Sequence, residues 1–481
     1  MKTSGIAQRD PHGKPQMDAD TNEPVEAVGG SRPKGRILDL MTAIPRGIAA
    51  AYRDVFADRR VAFASPAVAA VGGLIFFYGI GFFFSTGYGV QSYTVPAHGT
   101  AIFVGLVLAV LGMLAGIGIA WSRLDSPLDR APTQDPSTQT RDRWLLVGDR
   151  WLLTLAALLT TVGIAAQILY LIRIGNVPIL MSYVEQGRVE ASIHGGSALR
   201  VLSLLAMPGT WLLTAVAASR GSRRMLAVAL GAILIVACLH LATANRANAF
   251  LTVEVGILVA LLAMGLHRLR LRALMAVAGI VAVLVLAAGV VGAYRLAHSP
   301  DTWSDPDVAQ AEQANDYVRL TGFALRLYLI VPVQNTDYAM DAVPEHLSWR
   351  LGYTYMQPLL TVLPGHQTTF DQDIKTALNQ TYPGGGTVPT FLGESYANFG
   401  PPGWFAVPLV LGFLLVWLYR RALARNDPAW WTLYAYAIVA VVNANLGGLS
   451  VASIFPVMGL VVLIFAIAGK PLMRAATQRL R

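Results

Sequence analysis

TAIFVGLVLAVLGMLAGIGIAW, Thr100–Trp121, contains no charged side chain along its whole length. At about 1.5 Å of rise per residue, such a run is long enough to cross a hydrocarbon layer about 30 Å thick. It reads as a membrane-spanning helix. Runs of the same kind lie on either side of it: Phe63–Phe84, Trp151–Ile172, Val201–Ser219, Met225–Thr243 and Phe250–Leu266, then Ala273–Ala293, Trp404–Tyr419, Trp430–Leu446 and Ser450–Gly469. Asn443 and Asn445 interrupt the ninth. Composition agrees, with 54% hydrophobic and 14% charged residues, against roughly 25% charged in an ordinary soluble domain. The chain is therefore expected to be an all-α polytopic membrane protein of about ten transmembrane helices.

Arginine and lysine collect on cytoplasmic flanks of membrane proteins. With ten spans and both termini cytoplasmic, Arg59-Arg60, Arg123 to Arg150, Arg220 to Arg224, Arg268 to Arg272, Arg420 to Arg425 and Lys470 to Arg481 all fall inside. An inverted topology would reverse that bias. The formal charge of +9 is then a topology signal with some attraction to anionic lipid, and calls for no nucleic-acid partner.

Five segments follow. Residues 1–36 have too few apolar side chains to bury a core and read as a disordered cytoplasmic tail. Residues 37–60 place Ile37, Met41, Ile44, Ile48, Tyr52 and Val55 at helical spacing among arginines, as in a helix lying in the membrane interface. Residues 61–293 hold the first seven spans, 294–403 a large outer-face loop with short helices, and 404–481 the last three spans with a short basic tail. No cleavable signal peptide is apparent, since the first apolar run starts too late. Cys238 is the only cysteine, which excludes an intramolecular disulfide and a thiolate metal cluster.

A loop of that length is usually functional or disordered. Here Trp303, Tyr317, Phe323, Tyr328, Trp349, Tyr353, Tyr355 and Phe370 are spread through it, so an ordered loop is expected. Its eleven acidic residues outnumber Arg295, Arg319, Arg326, Arg350 and Lys375. Arg319 and Arg326, seven residues apart in an apolar segment, share one face of a helix. Two guanidinium groups beside a membrane suit a diphosphate, because the planar fork bonds bidentately and keeps its charge. Pairing with Asp316 or other loop carboxylates is the alternative.

The loop ends in GGGTVPTFLGESYANFGPPGW, Gly384–Trp404, which sets one carboxylate, Glu394, among turn residues and aromatics just before a span. Glu394 is a candidate base, or else an anchor that accepts from backbone N–H groups. Two other outer segments carry polar residues. RIGNVPILMSYVEQGRVEASIHGG, Arg173–Gly196, contains Arg188 and His194; HLATANRANAF, from His240, is a tight turn with Arg246 at its tip. Glu254 lies about two turns into the next span, where ionisable groups are costly and mark function by default. A hydrogen bond between His240 and Glu254 that fixes the hairpin is the structural alternative.

The order of GNVPIL, a polar arginine-bearing loop, NRANAF in a tight hairpin, and a large outer loop ending in PTFLGESYANFG resembles the O-antigen polymerase, or oligosaccharide repeat-unit polymerase, family (Wzy-like). The resemblance runs from about Trp151 onward and rests on Pro178, Arg188, Arg246, Gly393-Glu394, Asn398 and Gly400. It implies a glycosyltransferase of the bacterial plasma membrane. A polyprenyl-diphosphate-linked glycan would pass to the end of another lipid-linked repeat unit on the outer face, without nucleotide sugar, metal or other cofactor. Implied partners are lipid-linked donor and acceptor, membrane lipid and other polysaccharide assembly proteins. The family pattern names no base.

Such a transfer develops negative charge on the leaving diphosphate and needs a proton acceptor for the attacking hydroxyl. Glu394, His298 and His366 are the leading candidates for the proton, ahead of His194, His346, Asp316 and Asp371. Arg188, Arg246, Arg295, Arg319, Arg326, Arg350 and Asn398 are the candidate substrate ligands. A ligase using the same leaving group, or a flippase for lipid-linked sugars, would share much of this pattern.

Overall fold

In the computed structural model, residues 64–87, 96–123, 141–181, 197–266, 271–298, 306–360, 369–380 and 386–451 are described, with a few isolated positions besides. The expected tail 1–36, almost all of the interfacial segment 37–60 and most of the tenth run, Ser450–Gly469, lie outside them. The described residues contain helices and no strands. Among the described residues, eight helices are long and apolar enough to cross a membrane. They are α1 (Ala67–Phe84), α2 (Gly99–Arg123), α3 (Arg141–Ile174), α4 (Ala198–Ser219), α5 (Arg223–Ala242), α6 (Arg246–Ala263), α13 (Gly403–Arg425) and α14 (Pro428–Val451). α7 (Leu271–Ala297) stands where the seventh span was expected, with apolar helix through Val281–Ala297.

Lipid chains are as apolar as leucine, so helices associate in a membrane through close packing of small residues and through hydrogen bonds. Both devices are visible. On α2, a Cβ added at Gly112 or Gly116 would come within 2.3 Å and 2.0 Å of the carbonyl oxygens of Phe405 and Leu409 on α13. These two helices therefore meet backbone to backbone. Asn443, one of the two residues that interrupt the ninth run, donates from its amide to Glu254 Oε2 at 2.9 Å, joining α14 to α6. Asn445 donates to the carbonyl of Val442 on its own helix at 2.8 Å. Both amide groups donate inside the protein, and the helix runs past them to Gly448.

The expected His240–Glu254 bond is not the one formed. The hairpin turns tightly at Thr243–Asn245, with Ala244 at φ 56°, and Glu254 lies about 12 Å along α6 from its first residue. A Cβ on Gly256 would meet Ile233 at 2.4 Å, so this level of α6 faces α5 two turns before His240. The two side chains sit at different depths.

The long connection folds back on the helix ends. It contains α8 (Pro306–Gln313), α9 (Tyr317–Ala342), α10 (Tyr353–Leu360), α11 (Phe370–Ala377) and α12 (Thr390–Phe399). α9 touches several helix ends in turn. Leu320 and Ala324 share a core with Ala293 and Leu296 of α7. The Leu329 carbonyl oxygen would be 2.2 Å from a Cβ on Gly81 of α1. Asp337 then accepts the backbone N–H groups of Ala97 (3.1 Å) and His98 (2.8 Å) at the start of α2. Beyond it Ala339, Ala342 and Val343 pack with Phe370, Ile374 and Ala397, joining α9 to α11 and α12.

Candidate functional site

Two polar groupings stand on α9 and its neighbours. The first begins with Arg246. Asn245 caps α6, its side-chain oxygen accepting from Asn248 N–H at 3.3 Å, which makes Arg246 the first residue of the helix. A cation there opposes the helix dipole, so local helix stability does not account for it. The half-buried Arg246 guanidinium lies 5.1 Å from the centre of the Tyr328 ring. It also runs against Gly292 of α7, where an added Cβ would be 3.4 Å from Arg246 Nη1. One turn further along α7, Arg295 interacts electrostatically with the same Tyr328. The charges of Arg246 and Arg295, on two different helices, thus both bear on one phenol of α9.

His298 follows within a turn of Arg295. Its Nδ1 is 2.8 Å from the Tyr294 carbonyl oxygen, and its ring stacks on Tyr294 with centroids 4.1 Å apart. A carbonyl only accepts, so Nδ1 carries a proton, and in the neutral ring Nε2 is the nitrogen with the lone pair. The imidazole is held in the tautomer that a base at Nε2 requires.

The second grouping is sealed. Glu394 is 0% exposed. Thr354 of α10 donates from its hydroxyl to Glu394 Oε1 at 2.7 Å. Leu449 N–H donates to Oε2. That amide is free for the purpose because α14 breaks at Gly448, with φ 70° and ψ 168°. A Cβ at Gly448 would also lie 2.9 Å from Glu394 Oε2. Asn398 completes the set: its amide donates to Thr354 Oγ1 (2.6 Å) and to the Glu394 carbonyl (2.8 Å), and its oxygen accepts from Gly352 N–H at 2.8 Å. The Tyr355 phenol is pushed up, first by burial and then by the negative Glu394 beside it. At the start of α12, Thr390 takes φ 59°, a strained choice for a β-branched residue. It is held by its hydroxyl 2.7 Å from that of Thr336, while Leu392 N–H donates to Tyr78 Oη at 3.0 Å.

The remaining sequence candidates are dispersed. Arg319 and Arg326 do share α9, as their spacing predicted, but Arg319 is exposed, bonded to Gln310 Oε1 at 3.3 Å and laid over Phe323. Arg326 is half-buried further along the helix. Asp316 serves as the N-cap of α9, accepting Arg319 N–H at 3.0 Å. Arg350 is paired with Asp373 at 2.9 Å and lies over the Phe370 ring. Arg188, His194 and His366 lie outside the described residues.

Sequence reasoning named Tyr328 only among the aromatics of the long loop, and did not select Thr354, Gly448 or the pair His98–Asp341. His98 Nε2 is 3.0 Å from Asp341 Oδ1, with both side chains about two-fifths exposed. The available signal for His98 was that no other Asp, Glu, His, Lys or Arg occurs in the Ser85–Gly99 connection.

Fold and site together define a multi-pass membrane protein whose long inter-span segment brings cationic and aromatic side chains to the helix ends. A family model described as O-antigen polysaccharide polymerase Wzy matches residues 149–469, about two thirds of the chain, and the chain belongs to that family. No curated protein and no solved structure matches it.

Proposed function

We propose that the protein joins polyprenyl-diphosphate-linked oligosaccharide repeat units at the outer face of the bacterial plasma membrane. The observation that carries this reading is that the charges of Arg246 and Arg295 both bear on Tyr328, with His298 within a turn of Arg295 and its Nδ1 held by the Tyr294 carbonyl. Outward placement rests on the bias of basic residues toward the opposite helix ends.

In the reaction, a hydroxyl oxygen of the acceptor sugar bonds to the anomeric carbon of the donor glycan. The bond from that carbon to the diphosphate breaks, and the electron pair leaves with the polyprenyl diphosphate. Arg246 and Arg295 hold the departing oxygens and stabilise the charge that develops there, assisted by the positive end of the α6 dipole. His298 Nε2 takes the proton from the acceptor hydroxyl. No metal is required for either task. Glu394 acts from within the scaffold, because both its oxygens are engaged and it has no exposed surface.

Purified protein given a single lipid-linked repeat unit tests the reading. A ladder of lengthening products supports polymerisation. Product only after a separate lipid or protein acceptor is added would make it a ligase, and translocation without a new glycosidic bond would make it a flippase.

A further inference from the structure

Residues 349–356 belong to the segment that separates two spans, yet they present apolar side chains outward. Leu351 is 78% exposed, and Met356 (52%), Tyr353 (49%), Phe399 (43%) and Trp349 (38%) surround it in sequence or contact. Leu351 has φ 47°, a left-handed conformation that is costly for a leucine. The turn is nevertheless rigid. Arg350 N–H donates to the Ala397 carbonyl (3.0 Å), Leu351 N–H to the Asn398 carbonyl (3.1 Å) and Gly352 N–H to Asn398 Oδ1 (2.8 Å). A strained backbone fixed by three hydrogen bonds, whose result is to expose a leucine, needs something apolar for that leucine to meet.

The position of the turn identifies the partner. Trp349 lies against Gly400, and Phe399 against Gly403, the first residue of α13. The apolar surface therefore continues directly onto the start of a span, whose own residues Phe405, Val410 and Leu414 are exposed. Trp349 also abuts Tyr396, which stacks on Trp404, each pair with centroids 5.3 Å apart. Trp and Tyr collect at the level of lipid headgroups, where one end of the ring is wet and the other apolar.

We infer that the turn Trp349–Tyr353, with Met356 and Phe399, is inserted into the interfacial layer of the bilayer at the mouth of α13. The occupant of this surface is membrane lipid. Part of the large connection is thereby held at headgroup depth, and Asn398, which accepts from the turn and donates to Thr354, ties that depth to the Glu394 network.

Spin labels on the full-length chain in phosphatidylethanolamine–phosphatidylglycerol liposomes test the inference. Cys238, the one native cysteine, is replaced by Ala, and labels are placed singly through Leu351→Cys and Met356→Cys. Val410→Cys serves as the lipid-facing reference and the exposed Glu345→Cys as the aqueous one. Collision rates with oxygen and with a water-soluble nickel chelate are compared. The expected result is an oxygen-to-nickel ratio at Leu351 and Met356 several-fold above that at Glu345 and approaching that at Val410. A ratio equal to that at Glu345 overturns the inference. Low accessibility to both reagents overturns it as well, since the surface would then be covered by protein, such as a second copy of the chain.

Discussion

Arg246 and Arg295 are half-buried and bear on Tyr328, and the half-buried His298 stacks on Tyr294; Glu394, Thr354 and Asn398 are sealed and satisfied by one another. A group that does chemistry has to reach its substrate, whereas a group that holds chain segments together has to keep water out. The first grouping keeps surface and, among the described residues, an unbonded imidazole Nε2; the second uses a buried carboxylate to close a gap left where α14 breaks. Charge alone does not separate them. What does is surface: a sealed group, or one whose charge an ion pair already answers, is closed to a substrate.

Glu394 offers the sharpest way to break this division. Glu394→Ala leaves the Leu449 amide and the Thr354 hydroxyl without their acceptor. With about 1.5–3 kcal/mol for each hydrogen bond to a charged group, the loss sums to about 3–6 kcal/mol. The expected outcome is a large fall in Tm in detergent and in protein level. Glu394→Gln keeps one acceptor but turns an N–H toward a donor, so it should fall between. A Glu394→Gln protein with unchanged Tm and lost polymer formation would return Glu394 to the chemistry.

Arg246 should behave in the opposite way. Arg246→Ala gives up a cation–π contact of about 0.5–1 kcal/mol, so Tm should change little. Loss of a charge-stabilising donor costs about 10²–10³ in rate, or about 2.7–4 kcal/mol. A single-turnover assay with one lipid-linked repeat unit measures it. If Arg246→Ala loses stability as Glu394→Ala does and keeps its rate, the cluster is scaffold too.

Gly448 tests the sealed side at its other partner. Gly448→Ala must hold φ 70° with a Cβ 2.9 Å from Glu394 Oε2. The left-handed backbone costs about 1–2 kcal/mol for an alanine, before the contact is relieved. Thermal unfolding should show a moderate loss, and turnover per folded molecule should hold unless Glu394 itself shifts.

The spans were legible because a bilayer imposes a local rule, about 20 consecutive apolar residues, and Thr100–Trp121 satisfies it without reference to any other part of the chain. The helix under Arg319 and Arg326 was legible for a similar reason, since seven-residue spacing is a property of one segment. Partners were not. Glu394 finds Thr354 at a separation of 40 residues and Leu449 at 55, and Glu254 finds Asn443 at 189. Nothing in the local pattern around Glu394 foretells a helix break in a later span, and His240 was the nearer polar neighbour of Glu254 in sequence. The arginines illustrate the same limit. They were alike as sequence symbols, and only packing against Tyr328, Gln310 or Asp373 sorted them.

Arg350 carries the smallest expected effect and sharpens that sorting. It was a substrate-ligand candidate on equal terms with Arg246, but its guanidinium is bonded to Asp373, with side chains 20% and 22% exposed. A partly exposed ion pair contributes about 0.2–1 kcal/mol, so Arg350→Ala should lower Tm slightly. Polymer yield per folded molecule should stay near the wild-type value, because Asp373 already neutralises the charge a diphosphate would need. Asp373→Asn then makes the decisive companion: it releases the Arg350 charge without removing it. If Arg350→Ala abolishes polymer formation while Asp373→Asn does not, Arg350 leaves its partner to meet the substrate, and an answered charge no longer marks scaffold in this protein.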